Sequence, residues 1–426
     1  MAVTSSALRR PALLGLGAGL AVTALVLSGC AGRESSGGDD TPDAAACDPG
    51  FTETEVRIGV SVPMSGPAAA YGPIGAAIEA YFDDVNEAGG LEFSDGVTRE
   101  VVVTVMDDGY DPAKTAVNVR QLVEQDEVFA LAGVLGTGAA IATSEYVTEE
   151  GVPYLYAGTG SDAILALSAE SPYTTGFMPQ YDFEVQTLSE YILATDPDAT
   201  VAILYQNDEF GESIRANFEA RFEGTGVEIV AEESYEVASG TVDSQVTNLA
   251  DSGADWFLDW AVGTFATQSL KKKAELGWDA TTVLNAPAAD ATFFLIPAGE
   301  GASDGVVSIA YAKDITDASL AGDPGWDAYA AFAEAHSDAF DPRSVPAAAG
   351  YSTAQLLEIS LANMDGCTRD ALLESATSFD GETIDLLPND VTISTTPEYP
   401  YVFSELKVQI FNGATWELQD EVYTLQ

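Results

Sequence analysis

The chain has 426 residues, 46% of them hydrophobic, and its 68 acidic side chains against 16 basic ones give a formal net charge of −52. That content supports a folded core, and the length exceeds what one hydrophobic core usually carries, so two domains are expected. A surface this negative repels polyphosphates and anionic lipid headgroups, which excludes DNA or RNA binding.

The N-terminus reads LRRPALLGLGAGLAVTALVLSGC over residues 8–30. Two arginines, an apolar run over 11–27 and small residues before Cys30 describe an export signal at 1–29. An apolar run of about 17 residues is short for a membrane span. LSGC fits the lipobox of bacterial lipoproteins, in which a diacylglycerol is attached to the cysteine thiol and the chain is cut just before it. Cys30 would then be the lipidated first residue, holding the protein to the outer, extracytoplasmic face of the cell membrane. Arg9 and Arg10 leave Sec and twin-arginine export both open. The polar segment AGRESSGGDDTPDAAA continues this as a tether, assigned to 30–52. Cys47 and Cys367 remain as an even pair in an exported chain, open to a disulfide or to two free thiols. His336 is the only histidine and no Cys-x-x-Cys occurs, so no metal or other cofactor is expected.

Regular patterning begins near residue 55. VRIGVSV (56–62) reads as a buried strand, and the loop PMSGPAAAYG (63–72) leads to a helix with Ile74, Ile78, Tyr81, Phe82 and Val85 on one face. Gly89 and Gly90 end it. EVVVTVMD (100–107) is the next strand, and Asp111 before Pro112 is an N-cap and first-turn pair for a helix to about residue 125. Further strands are expected at 128–133, 152–157, 201–205, 227–235, 255–260, 281–286 and 305–311, most followed by a helical pattern. Sustained alternation of this kind gives an α/β fold of parallel sheets covered by helices. The units fall into two runs separated near 175–181, hence two similar lobes, with function expected in the loops after the strands.

The order and wording of VRIGVSVPMSGPAAAYGPIGAAIEAYFDDVNEAGG, VTVMDDGYDPAKTAVNVRQLVEQDEVFALAG, EEGVPYLYAGTG, VAILYQNDEFGESIRANFEA and ADWFLDW resemble the Leu/Ile/Val-binding protein family, type I solute-binding proteins of ABC importers. The resemblance covers 53–416. It implies two Rossmann-like lobes joined by three hinge crossings, near 176–179, 308–312 and 400–405. The lobes would comprise 53–177 with 312–401 and 178–311 with 402–426, closing on a small solute. Cys47 and Cys367 would then share the first lobe, which suits a disulfide. The implied partners are a small-molecule solute and an ABC permease, with the protein itself a monomer.

Gly136, Thr137 and Gly138 form a small-residue turn opening a helix, whose N–H groups and hydroxyl suit a carboxylate. Ala157, Gly158 and Thr159 follow the next strand into the same cleft, and the resemblance implies that the two loops grip an amino acid's charged ends. From the second lobe the resemblance places Phe210 over the ligand, with Trp260 and Val262 near another contact; Tyr71 and Ser65 would close the rim. Each of these residues also fits an ordinary turn or core position. One departure stands out. Amino-acid binders of this family offer an acid after the strand at 281–286, where this chain reads NAPAAD, leaving Asp290 as the nearest carboxylate and Asp182 as the other to test. An unpaired buried ammonium is costly, so an amide, a urea-like compound or an aromatic acid also fits.

Enzymatic roles are disfavoured. A lone His336 outside the cleft loops cannot serve a catalytic triad there, GTGSD and GVLGTG lack the lysine of a P-loop, and paired acids such as Asp107 and Asp108 are commonplace in so acidic a chain. A ligand-binding sensor that presents its liganded form to a separate receptor is the alternative function. The run Lys271, Lys272, Lys273 reads as a solvated helix face.

Overall fold

The structure is a computed structural model and describes residues 47–161, 163–164, 173–389 and 391–425. The expected export signal, Cys30 and the tether up to residue 46 lie outside the described residues. The tether does not extend to residue 52. Asp48 N donates to Cys367 O at 3.1 Å, and the buried Phe51 ring sits edge-on to Phe93 at 5.3 Å, so burial of an aromatic ring ties the chain down from Cys47 onward. These contacts bring Cys47 and Cys367 to a Cα separation of 4.9 Å.

The first sheet contains β1 (Glu55–Val62), β2 (Leu91–Glu92), β3 (Thr98–Asp107), β4 (Ala130–Ala132), β5 (Tyr154–Ala157) and β6 (Thr174–Gly176), in the order β2-β3-β1-β4-β5-β6. All neighbours are parallel except β2 with β3. β1 is buried on both faces over its last five residues, which is why it reads as a near-continuous apolar run. Helices Pro73–Glu87, Pro112–Glu124 and Thr137–Glu149 connect these strands. Asp111 caps the second of them, its carboxylate accepting from Ala113 N at 2.9 Å.

The second sheet begins with β7 (Thr200–Gln206), β8 (Glu228–Tyr235), β9 (Trp256–Trp260), β10 (Thr281–Leu284) and β11 (Val307–Ala310), all parallel. The short strands β12 (Asp380–Glu382) and β13 (Ile393–Ser394) pair apart from it. β14 (Glu405–Phe411) and β15 (Trp416–Thr424) then complete the order β15-β14-β11-β10-β9-β7-β8. This edge is antiparallel, because β14 and β15 form a hairpin. Its turn is made by Asn412, whose side chain accepts from Ala414 N and Thr415 N, and by Gly413 at φ 92°.

The chain leaves the first sheet after β6 and starts helix Tyr181–Thr195, which packs on the second sheet. It returns beyond β11 to helices Pro324–Ala335 and Val345–Asn363, the latter packed on Pro73–Glu87, and passes back at Tyr401, which bridges to Gly176. The passages are packed on one another. Phe403 stacks at 4.7 Å from Tyr311 and 5.5 Å from Phe177, one ring from each passage.

Helix Glu209–Phe222 starts so close to β7 that a Cβ on Gly211 would lie 1.9 Å from Gln206 O. A Gly211→Ala change must therefore push the helix start off the strand. Overpacking of this kind costs about 1–3 kcal/mol, and a lowered urea midpoint for Gly211→Ala is the expected result.

Candidate functional site

The turns after β4 and β5 are zipped together. Gly136 N donates to Gly158 O at 3.3 Å and Gly158 N to Val134 O at 3.0 Å. Thr137 and Thr159, both buried, bring their hydroxyls to 2.8 Å of each other. Thr159 Oγ1 also accepts from Ser161 N at 3.2 Å and reaches the Tyr181 hydroxyl at 3.4 Å. Ala157 O accepts from Thr159 N and from Phe177 N, binding the turn to the first hinge passage. The two hydroxyls expected to face a ligand thus satisfy each other.

Phe210 joins this group from the second sheet. Its buried ring stands edge-on to Tyr181 at 5.2 Å, and Tyr181 links it to Thr159. Tyr71 bridges the lobes directly: its hydroxyl accepts from Gly263 N and donates to Pro287 O, each at 3.1 Å. Tyr110, held at φ 66° after β3, hydrogen-bonds Gln206 at the end of β7. Burial raises the pKa of Tyr71, Tyr110, Tyr181 and Tyr311 at this seam, to about 12 for Tyr181, so all are neutral hydrogen-bonding groups near pH 7. Beside it, Tyr110, Gly136, Gly138, Asp208, Glu209 and Glu236 are among the residues lining a cavity of 290 Å³ between the sheets.

Three predicted residues do not join the seam in this way. Ser65 is exposed and donates to Asp107 at 2.7 Å, bracing its own loop together with Met64 N and Lys114. Trp260 is buried in the second-sheet core, its ring 4.9 Å from Phe218. Val262 offers its N–H to the Tyr235 hydroxyl at 3.1 Å. His336 pairs with Asp84 at 2.9 Å, away from these loops. Asp108 accepts from Ser61, Thr115 and Tyr110 N, which holds the loop that carries Tyr110.

The carboxylates separate sharply by the donors they meet. Asp182 is surface-exposed and paired with Arg221 at 2.9 Å. Asp290 is buried but fully engaged, accepting from Phe293 N at 2.8 Å and, across the lobes, from Val345 N at 3.1 Å. Burial pushes its pKa up to about 6 against those bonds. Glu184, which the sequence reading passed over, is 1% exposed and among the described residues accepts a single hydrogen bond, from Ala286 N at 2.8 Å. Burial drives its pKa up to about 7, with only the Ala286 N–H opposing. Its charge reaches the hydroxyls of Tyr181 and Tyr311. Helix Tyr181–Thr195 thus brings a carboxyl to the NAPAAD turn, in contact with Ala286 N. The available signal was an acid in the first turn of a helix whose neighbours, Tyr181, Phe183 and Val185, are all apolar or aromatic.

This geometry can hold a small polar molecule between two sets of strand-end loops. The model of the family described as "Periplasmic binding protein" matches residues 55–397. The chain belongs to the type I periplasmic binding protein family. Leu/Ile/Val-binding protein homolog 7 of Brucella suis biovar 1 is 24% identical over 339 residues, covering 77% of this chain and 82% of its own. Two solved structures share the fold. A branched chain amino acid ABC transporter protein from Thermus thermophilus with bound valine aligns at TM-score 0.75 and 17% identity, covering 88% of this chain and 98% of that one. A fatty acid ABC transporter substrate-binding protein from Thermomonospora curvata aligns at 0.74 and 19%, covering 90% and 96%. These two structures share one fold and are named for solutes of quite different chemistry.

The raised pKa of Glu184 fixes a direction for stability. The folded form holds the proton between the ordinary value of 4.5 and about 7, where the unfolded chain has released it. Stability from this group is thus fully present at or below pH 4.5 and is lost as pH rises through 7. Glu184→Gln keeps an acceptor for Ala286 N without the charge. Its melting temperature should match wild type near pH 5 and exceed it at pH 8, by the equivalent of about 3 kcal/mol. An unchanging difference across that range would place the Glu184 carboxyl in water.

Proposed function

We propose that this protein is the solute-binding component of an ABC importer, an extracytoplasmic lipoprotein held at the membrane through Cys30, which captures a small organic solute between its lobes and delivers it to a permease. The observation that carries the reading is the seam itself. Loops from the carboxyl ends of both sheets meet there, tied by Tyr71 to Gly263 and Pro287, where open α/β sheets bind ligands. Family membership supports it, as do the names of the relatives. The lobes are proposed as 53–177 with 312–401 and 178–311 with 402–426. Thr137, Thr159, Tyr71, Phe210 and Glu184 are proposed to surround the solute.

Hinge closure is the signal a permease would read. Adding a bound solute should raise the melting temperature and reduce the radius of gyration in X-ray scattering, while the solute is recovered unchanged. Chemical turnover of a bound solute, or binding without any compaction, would contradict the proposal.

A disulfide between Cys47 and Cys367 is proposed as well, supported by their 4.9 Å Cα separation. It would pin the start of the domain to the turn before helix Arg369–Ala376. Closing so long a loop stabilises by about 2–5 kcal/mol. A non-reduced digest of the exported protein should yield the linked peptides by mass spectrometry, and reduction should lower the melting temperature. Alkylation of both thiols without reductant would rule the bond out.

A further inference from the structure

We infer that the groove across the hinge from the seam is a second lobe–lobe interface, one that forms when the cleft opens. Leu418 and Val422 of β15 then pack on Leu320, Pro388 and Val391, and this apolar contact holds the protein open until a solute closes it. The inference rests on the solute-binding reading above and names how that site is regulated.

The first observation is where the hinge stands in the second sheet. In the order β15-β14-β11-β10-β9-β7-β8, the strands β11 and β14 carry the second and third passages. The second-lobe groups bonded at the seam follow strands on one side of that pair: Pro287 after β10, Gly263 after β9 and Gln206 at the end of β7. β15 lies on the other side. Parting the seam about β11 and β14 therefore swings β15 toward the first lobe.

The second observation is the groove itself, 420 Å³ in volume. Trp416, Leu418 and Val422 line it from the second-lobe hairpin, and Leu320, Pro388 and Val391 from the first lobe. Ala310 and Ala312, either side of Tyr311 in the second passage, also line it, so the two walls meet at the pivot. The first-lobe wall is braced to move as one body. Lys313 Nζ donates to Asp323 at 2.6 Å and to Asp385 O at 3.0 Å, and Asn389 donates to the other oxygen of Asp323 at 3.1 Å. The width of the groove thus follows the hinge angle.

The third observation is what the groove leaves in water. Leu418 is 59% exposed and Val422 46% while the seam is bonded. They stand four residues apart on β15, and the exposed residues beside them, Glu417, Asp420 and Glu421, are acids. Covering the two apolar side chains as the groove narrows offsets the loss of the few polar bonds at the seam, which keeps the open and closed arrangements close in free energy. Apparent affinity for any solute then scales with the closed fraction that this contact leaves.

Spin labels on Met64→Cys and Ile296→Cys, exposed residues of the two seam loops, measure cleft width by double electron–electron resonance in protein without solute. The wild type should show a long distance with a minor short one. Leu418→Ser combined with Val422→Ser removes the apolar contact and should shift the ratio roughly tenfold toward the short distance. Ala312→Trp, at an exposed position beside the pivot, should shift it the same way, because the narrowed groove has no room for the ring. Val117→Ser, 64% exposed on helix Pro112–Glu124 and outside the groove, should change nothing. The contact is overturned if the serine pair leaves the ratio unchanged or lengthens the distance, if Val117→Ser shifts it as much, or if the wild type shows only the short distance. These distances need no solute, so that outcome leaves the solute-binding reading standing. That reading falls separately, if no member of a broad metabolite library compacts the wild type.

Discussion

Phe403 presses its ring against Tyr311 and Phe177, and each of the three belongs to a different passage of the chain between the sheets. Gly176 admits the Tyr401 ring where any Cβ would stand 2.3 Å from it, so the first and third passages run side by side. A chain that passes between two sheets three times in one bundle leaves them a single soft direction, about that bundle. The loops at the far ends of the strands must then either meet or part. Tyr71, bonded to Gly263 N and Pro287 O, and Asp290, bonded to Val345 N, stand where they meet. These bonds are few and polar, so their net worth is small, about 0.5–1.5 kcal/mol each. A seam closed by such bonds can be shifted by a ligand of ordinary affinity.

The same geometry explains why buried acids gather at the seam. Asp259, Asp290 and Glu184 all lie at strand ends or helix starts, and burial raises the pKa of each into the range of about 6 to 7. What differs is compensation. Asp259 accepts from Ser269 and from Ala261 N, and Asp290 caps two helix starts, so both have evident structural work. Glu184 alone keeps capacity in reserve. A buried carboxyl with so few partners is normally removed by selection for stability or retained for a function that needs it. Glu184 lies early in the helix that begins at the first passage, with the ring of Tyr311 in the second passage among the groups its charge affects.

Much of the fold was legible because parallel strands buried on both faces read as plain apolar runs, and Asp111 with Pro112 marks a helix start without ambiguity. The parts that were not legible fail for identifiable reasons. β6 is three residues of Thr, Thr and Gly, too short and too polar to register as a strand, although burial of Thr174 and Thr175 makes it one. The hairpin β14–β15 did carry a signal, the Asn412 and Gly413 turn between alternating runs, which the search for strand–helix units passed over. Phe51 is a single ring in a polar stretch, and only its contacts with Phe93 and Phe129 tell it from tether.

The site was legible by loop but not by role. Glycine-rich turns after strands point to the crevice, and Thr137, Thr159 and Phe210 do converge on Tyr181. Whether two hydroxyls face a ligand or face each other is settled by a few ångströms of loop placement, which no local pattern encodes. Glu184 illustrates the converse. Its partner Ala286 is 102 residues away, and its burial depends on a helix packed on the second sheet. The pattern along the strand at 281–286 carries no trace of this carboxyl, because it reaches that turn through space and not through the chain. The element that brings it there is the helix begun at the first hinge passage.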